Sequence, residues 1–558
     1  MKKRIINLLE PKLITFLKKN SYQKSNFIQD SLSGLSVAIV ALPLAMAIAI
    51  ASNLPPERGL FTAIIAGFLI SALGGSRFQI GGPTAAFIVT VALVASKHGY
   101  DGLVLATIMA GFLLIIASFL RAGELIKFIP YPVITGFTSG IALLILFSQL
   151  RDFFGLNITT MPPDFIDKLL LYIESLHSFN IFSVIVASVS IWIIFYMKNH
   201  YPKIPGSIIV VVFSGLFVWL FSIPIDTIES RFGAIPSMLP TPSFPEITFD
   251  KIRLLFPDAV TIAILAGIES LLSAVVADGM AGTKHKSNTE LLAQGVANVG
   301  SSIFGGLPAT GAIARTATNI KAGAISPISG IMHSFFLFVF MMLLAPLIVK
   351  VPLAALSAIL IVVAWNMSEI QHIKSILRAP RGDVFILLIT FFLTVLVDLN
   401  FAIQAGISLS ALLFINSMMQ STRIHSIDDE DETDDPDAIT KKVVPNYVEV
   451  YEIKGPLFFG ITEKLIDTLT SFETLPKVFI LRLRYVPIID AAGLHTLDII
   501  YQRLHNNGGV LLLSGVNKNV STYLKKSGLN KLIGDENILD HIDKALERAN
   551  TIVSNNNL

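Results

Sequence analysis

The sequence predicts a polytopic α-helical membrane protein of about fourteen transmembrane segments followed by a small α/β domain, and three observations carry that prediction. The chain is 53% hydrophobic and 15% charged over 558 residues, against roughly 25% charged in an average globular chain. Its charges are segregated, because uncharged runs follow one another over residues 31–56, 59–76, 78–96, 102–120, 128–150, 204–225, 322–349 and 399–422. Runs of this length and polarity read as membrane-spanning helices. After Thr422 the composition shifts to an acidic stretch and then to alternating strand-like and helix-like segments.

The elements follow in order. Residues 1–27 carry Lys2, Lys3, Arg4, Lys12, Lys18 and Lys19 against a single acid, Glu10, in the first twenty positions, and the positive-inside rule places this segment in the cytoplasm. The basic start leads through mixed polar sequence to a first apolar run that is itself a span, so no cleavable signal peptide is expected. The transmembrane part covers 28–422. Charge breaks divide it into about thirteen spanning runs, but the run 291–314 contains GGLPATG and reads as one helix plus the start of another. Fourteen spans return the C-terminus to the cytoplasm. The segment IDDEDETDDPDA places eight acids in twelve residues and cannot bury a core, so 423–440 is expected as a solvated linker. In 441–558, VEVYEIKG, KVFILRL and GVLLLSGV have strand character, while KLIDTLTSF, AAGLHTLDIIYQRLHNN and NVSTYLKKSG have helical periodicity, which predicts a small cytoplasmic α/β domain.

Glu269 is the only charge between Asp258 and Asp278, the eleventh residue of the nineteen-residue run AVTIAILAGIESLLSAVVA. An acid at membrane mid-depth is costly unless it is protonated, paired or facing water, and such groups mark ion and substrate pathways. Two readings stay open: a neutral carboxyl hydrogen-bonded to a neighbouring helix, and a proton or ion coupling site. Ser273 follows one turn later on the same face, where its hydroxyl is placed to orient the carboxyl group.

Two Gly-rich interruptions, GGSRFQIGGPTAAF ending at Phe87 and GGLPATGAIARTATN ending at Asn319, break apolar runs in corresponding halves of the membrane part. Broken segments in matching positions point to inverted repeats with a substrate site near the midplane. Pro83 suits the opening turn of a helix whose free N–H groups belong to Thr84, Ala85 and Ala86. The corresponding donors in the second segment are expected around Ala312, Ile313 and Ala314. Two helix N-termini aimed at one point bind an anion through backbone dipoles; the alternative is that these small residues serve close helix packing. Arg315, one turn into the second segment, either adds positive potential to that site or partners Glu269 or a carbonyl.

Other function classes find little support. With zero Cys, disulfides and thiolate metal sites are ruled out. A net charge of +2 with no stripe of bases among aromatics gives no nucleic-acid footprint. GGSRFQIGG lacks the Lys-Ser/Thr of a nucleotide P-loop, and His285 in TKHK reads as a solvated loop residue rather than a metal ligand. Neither an enzyme activity nor a cofactor is expected.

GGSRFQIGGPTAAF, IESLLSAVVADGMAGTKHKSNTELLAQGVANV, GAIARTATNIKAGAISPIS and VAWNMSE resemble the SulP (sulfate permease) family of anion transporters, and in particular its bacterial C4-dicarboxylate members. The resemblance spans nearly the whole chain. It implies two intertwined seven-helix inverted repeats divided into core and gate domains, a cytoplasmic STAS domain, an elevator-like mechanism and a homodimer in the bacterial inner membrane. It places the anion between the starts of the third and tenth helices, at Pro83, Thr84, Ala85, Ala86 and Phe87 on one side and Ala312, Ile313, Ala314 and Thr316 on the other. Ala41 and Leu42 on the first helix resemble the segment that closes one side of that pocket. Glu269 matches the family's acid on the eighth helix, where proton-coupled members carry Glu. Ile313 falls where a sodium site would gain from a hydroxyl, which disfavours sodium. Pro308 and Gly311 depart from the Thr and Ala of the dicarboxylate members, so bicarbonate and sulfate stay open beside succinate, fumarate and aspartate. In IIDAAGL, Ala491 replaces the Ser that STAS relatives phosphorylate, so the domain is expected to serve folding, dimer contact or a cytoplasmic protein partner. A channel-like or sensory protein regulated through that domain is the alternative of another class.

Overall fold

The computed structural model describes residues 9–19, 22–124, 130–158, 162, 165–201, 206–397, 399–426, 437–438, 441–470, 472 and 475–555. The basic residues Lys2, Lys3 and Arg4, and most of the acidic linker, 427–436 and 439–440, lie outside them. The chain divides into two compact units, Met1–Ile407 and Ser408–Leu558.

The first unit is helical. After the short α1 (Lys12–Lys19), the helices are α2 (Lys24–Ala51), α3 (Pro56–Leu73), α4 (Ile88–Phe119), α5 (Tyr131–Ser148), α6 (Leu150–Phe154), α7 (Phe165–Ser175), α8 (Ile181–His200), α9 (Gly206–Phe221) and α10 (Ile228–Phe232). They continue with α11 (Phe249–Ala281), α12 (Ser287–Ile303), α13 (Ile313–Lys321), α14 (Ile328–Ile348), α15 (Leu353–Met367), α16 (Ile370–Ile376), α17 (Arg381–Leu396) and α18 (Leu399–Ser421), the last running from the first unit into the second. Among the described residues nine helical stretches are long and apolar enough to cross a membrane. Gly99, at φ 71°, breaks α4 into two spans. With those halves counted separately and the shorter α9, α12, α13 and α17 added, the described residues hold fourteen helical segments, consistent with about fourteen spans of which some are half-helices.

Packing sorts these helices into two sets. In one, α2, α3, α4, α11, α12, α13 and α14 pack on each other; in the other, α5, α6, α8, α9, α15 and α17 do. Thinner contacts join the sets, chiefly α2 against α9 and α15, and α4 against α5. These are the core and gate domains. Large apolar side chains such as Trp192, Phe213 and Leu220 stay exposed on α8 and α9, as lipid-facing surfaces require. Helices can do this because each satisfies its own backbone hydrogen bonds without water.

Two two-residue strands cross at the centre of the core set. β1 (Gly81–Gly82) pairs antiparallel with β2 (Thr310–Gly311), Gly81 opposite Gly311 and Gly82 opposite Thr310. The two Gly-rich interruptions are therefore one structure, each supplying the other's missing backbone partners.

The second unit carries a five-stranded sheet ordered β3 (Arg423–Ser426), β4 (Val448–Lys454), β5 (Val478–Tyr485), β6 (Val510–Ser514) and β7 (Ile538–Leu539). β3 is antiparallel to β4, and the remaining pairs are parallel. Residues 423–426, expected as the start of the solvated linker, thus form an edge strand; the basic, polar RIHS has no apolar alternation to announce it. The inner strands are apolar on both faces. Leu481 and Leu513 pack under α19 (Ala491–Asn506), and Ile480 and Leu512 pack under α20 (Ile542–Asn555), the pattern of a parallel sheet covered on both sides. Asp490 caps α19, its side chain accepting from Gly493 N–H at 2.8 Å and from Phe459 N–H at 3.2 Å, so Asp490 and Gly493 shape the strand-to-helix turn. Asp437, His541 and Asp543 come together nearby, with Lys442 Nζ 3.3 Å from Asp437 and 2.8 Å from Asp543. Hydrogen bonds from His541 and Lys442 hold the Asp437 carboxyl below the usual carboxylate range.

Candidate functional site

The acid on α11 meets the first interruption directly. Thr84 Oγ1 donates to Glu269 Oε2 at 2.6 Å, and Glu269 is partly buried. Thr84 precedes a 3₁₀ turn, Ala85–Phe87, from which α4 departs. The expected α-helical opening at Pro83 is therefore delayed by a turn, with Phe87 N–H donating to Thr84 O at 3.1 Å. Among the described residues the N–H groups of Ala85 and Ala86 have no hydrogen-bond partner. Phe87 is buried in the same apolar cluster as Ala41 and Leu42 of α2.

The second interruption delivers α13. Ala312 is its N-cap, and Ala312 N–H is taken by Ile80 O at 2.9 Å. The expected donor set loses Ala312 for this reason: the β1–β2 pairing consumes it. Ile313 and Ala314 begin the helix and are exposed, Ile313 by 41%, so the open N–H groups are theirs. Thr316, expected at the anion, turns the other way. It is buried, and its Oγ1 accepts from Ile80 N–H at 3.1 Å and from Ser273 Oγ at 3.2 Å. Ser273 is correspondingly engaged with Thr316 rather than oriented on Glu269.

Arg315 is buried, and its Nη2 donates to Pro83 O at 3.0 Å. Of the readings left open by sequence, the carbonyl partner is the one observed. Among the described residues no carboxylate lies within ion-pair distance of it, so its charge stays beneath the crossing of the two interruptions. Together with two helix starts this makes the neighbourhood electropositive, and Glu269 is the acid that hydrogen-bonds Thr84 at the first of those starts.

Several residues that hold this geometry were not singled out by sequence. Glu290, fully buried, accepts from Gly75 N–H (2.9 Å), Ser76 N–H (3.0 Å), Ser270 Oγ (3.1 Å) and Gln294 Nε2 (2.9 Å). Gln79 Nε2 donates to Ser270 Oγ at 2.9 Å and ties the first interruption to α11. Thr310 Oγ1 donates to Ala266 O at 2.9 Å and ties the second to the same helix. Asn298 brackets Ala309 with two bonds of 2.8 Å, and Asn319 Nδ2 donates to Phe78 O at 2.9 Å. The available signal was an isolated Gln, Asn or Glu within or at the border of an apolar run, where an unpaired polar group is costly.

Comparison with known proteins agrees with this architecture. A family model described as the sulfate permease family matches residues 27–390, and one described as the STAS domain matches 438–547. The "Putative sulfate transporter YvdB" of Bacillus subtilis (strain 168) is 41% identical over 525 residues, covering 94% of this chain and 98% of that protein. The bicarbonate transporter BicA of Picosynechococcus sp. is 30% identical over 466 residues, 80% of this chain and 81% of its own. Among solved structures, murine Slc26a9 anion transporter in the inward-facing state superposes with a TM-score of 0.88 at 20% identity, covering 99% of this chain and 95% of that one.

Proposed function

The chain belongs to the sulfate permease family of anion transporters, with a STAS domain after its membrane part, and from that premise we propose that it is a secondary active transporter taking up a small oxyanion together with protons. The observation that carries this reading is the hydrogen bond from Thr84 to Glu269 at the start of one half-helix, on a helix, α11, that also packs against the other half-helix, α13. The anion docks on the N–H groups of Ala85, Ala86, Ile313 and Ala314, over the buried charge of Arg315. An ionised Glu269 repels it; a protonated Glu269 does not. Binding of proton and anion is thereby linked, and each favours the other. The loaded core set then shifts against the gate set and releases both on the cytoplasmic side of a bacterial inner membrane, with both termini cytoplasmic and two copies forming the working dimer.

Protons are favoured over sodium because a hard cation needs several oxygen ligands. Here Ser273 is committed to Thr316 and Ile313 offers no side-chain oxygen. For the substrate, the sequence resemblance points to C4-dicarboxylates such as succinate, fumarate or aspartate. Sulfate or bicarbonate is the second reading, carried by the names of the relatives above. Uptake of labelled succinate, sulfate and bicarbonate into sodium-free proteoliposomes under an inward proton gradient, each competed by the others, tests both. Gradient-driven accumulation of one of them is expected. A strict sodium requirement would overturn proton coupling, and flux that never exceeds the equilibrium distribution would favour a channel or a STAS-regulated sensor.

A further inference from the structure

A cavity of about 860 Å³ lies between the core and gate sets, near the C-terminal ends of α2 and α5. Its core wall includes Ile88 and Val89, which directly follow Phe87 at the proposed anion site, and its opposite wall includes Ser148 and Arg151 of the gate set and Tyr172 of α7. The charges around it are not equivalent. Arg231 is spent: its Nη1 lies 2.6 Å from Asp152 and its Nη2 2.8 Å from Asp226. The Arg151 side chain makes no hydrogen bond or ion pair among the described residues, and its Nε is buried without a partner. Asp167 and Lys168 line the same cavity. Tyr172 is 4% exposed, and its hydroxyl is likewise buried without a hydrogen-bond partner.

A buried hydroxyl and a guanidinium that lack partners are costly unless some ligand uses them. Both line one cavity whose inner end abuts the start of α4. We propose that Arg151 and Tyr172 form a second oxyanion subsite on the gate set, where the anion is held before it passes to the half-helix starts beside Glu269. The ligand is a carboxylate, sulfate or bicarbonate: the guanidinium fork pairs with two of its oxygens, and the phenol donates to one. This deepens the transport reading and rests on it for the identity of the ligand. The geometry assigns the division of labour between the two arginines: Asp152 and Asp226 pair directly with Arg231 and reach Arg151 only through space, so among the described residues the Arg151 guanidinium is the one that keeps donors for an entering anion.

The absence of cysteine from the chain makes a direct test available in the full-length protein. Ser148→Cys puts one thiol in this cavity, three residues before Arg151. Its modification is timed with an anionic and with a cationic methanethiosulfonate, in vesicles of either orientation. A positive charge beside the thiol speeds the anionic reagent and slows the cationic one, so adding Arg151→Gln is expected to lower the rate ratio by about fivefold or more. Arg151→Lys restores the ratio. Sulfate, succinate or bicarbonate slows modification of Ser148→Cys, and loses that effect with Arg151→Gln. Tyr172→Phe keeps the ratio but weakens the protection, which separates the phenol from the charge without removing the arginine. A ratio indifferent to Arg151→Gln, or protection that persists without Arg151, would overturn the proposal. No transport is needed for this readout, so a protein that protects its thiol but accumulates no anion would refute the transport reading and leave the subsite standing.

Discussion

Glu269 receives a hydrogen bond from Thr84 and lies beside two half-helix starts whose free N–H groups favour negative charge. Thr84→Val removes the donor while keeping the shape, and is expected to weaken anion-driven uptake by about tenfold or less, the worth of one hydrogen bond to a charged group. Initial uptake rates under a fixed proton gradient measure it. Glu290 is different in kind, because it anchors rather than transports. Glu290→Ala strands two backbone N–H groups, Ser270 Oγ and Gln294 Nε2 in the interior, at about 1–3 kcal/mol for each group left unpaired. A clear fall in the thermal midpoint and in membrane abundance is expected; an unchanged midpoint would remove Glu290 from the scaffold. Sequence alone exposed Glu269 because a single charge in a nineteen-residue apolar run is conspicuous. Glu290 escaped notice because it stands at the border of its run, next to the polar KSNT. The inward turn of Thr316 and the partner of Arg315 depend on β1–β2 register, which no local pattern encodes.

At the scale of elements, the crossing of β1 and β2 fixes both half-helix starts. Gly82 has φ +151°, and a Cβ there would run into the Arg315 guanidinium; a Cβ on Gly311 would collide with the Gln79 side chain. Gly82→Ala therefore strains the backbone by about 1–3 kcal/mol and displaces the arginine from Pro83 O. The expected result is a protein that still inserts and elutes as a single species but has lost most uptake, read by size-exclusion profile beside transport. Normal uptake by Gly82→Ala would mean that the crossing is not the anion platform. The two interruptions were legible as a pair because Gly and Pro punctuate apolar helices. Their direct antiparallel pairing was not, since two residues on each side carry no strand periodicity. The edge strand 423–426 went unread for the same reason.

At the scale of the whole molecule, charge segregation alone separated the membrane part from the α/β domain, because lipid excludes charge and a parallel sheet demands it at the helix surfaces instead. The division into core and gate sets came from resemblance and then from packing, since every span is apolar and periodicity does not tell which neighbour a helix prefers. Every group in the proposed cycle lies before Ile407, inside one compact unit. Deleting residues after Thr422 is therefore expected to leave pH-dependent accumulation in place, reduced by about tenfold or less per inserted molecule, a loss of no more than ~1.4 kcal/mol. Complete loss with normal insertion would instead make the STAS domain part of the transport cycle.

The central claim is that Glu269 couples the proton to the anion. Its most direct test compares gradient-driven uptake with gradient-free anion exchange in sodium-free proteoliposomes, for wild type and Glu269→Gln. The account predicts that Glu269→Gln, fixed in the neutral form, keeps exchange but loses both accumulation and its pH dependence; a Glu269→Gln protein that accumulates anion with wild-type pH dependence would contradict it.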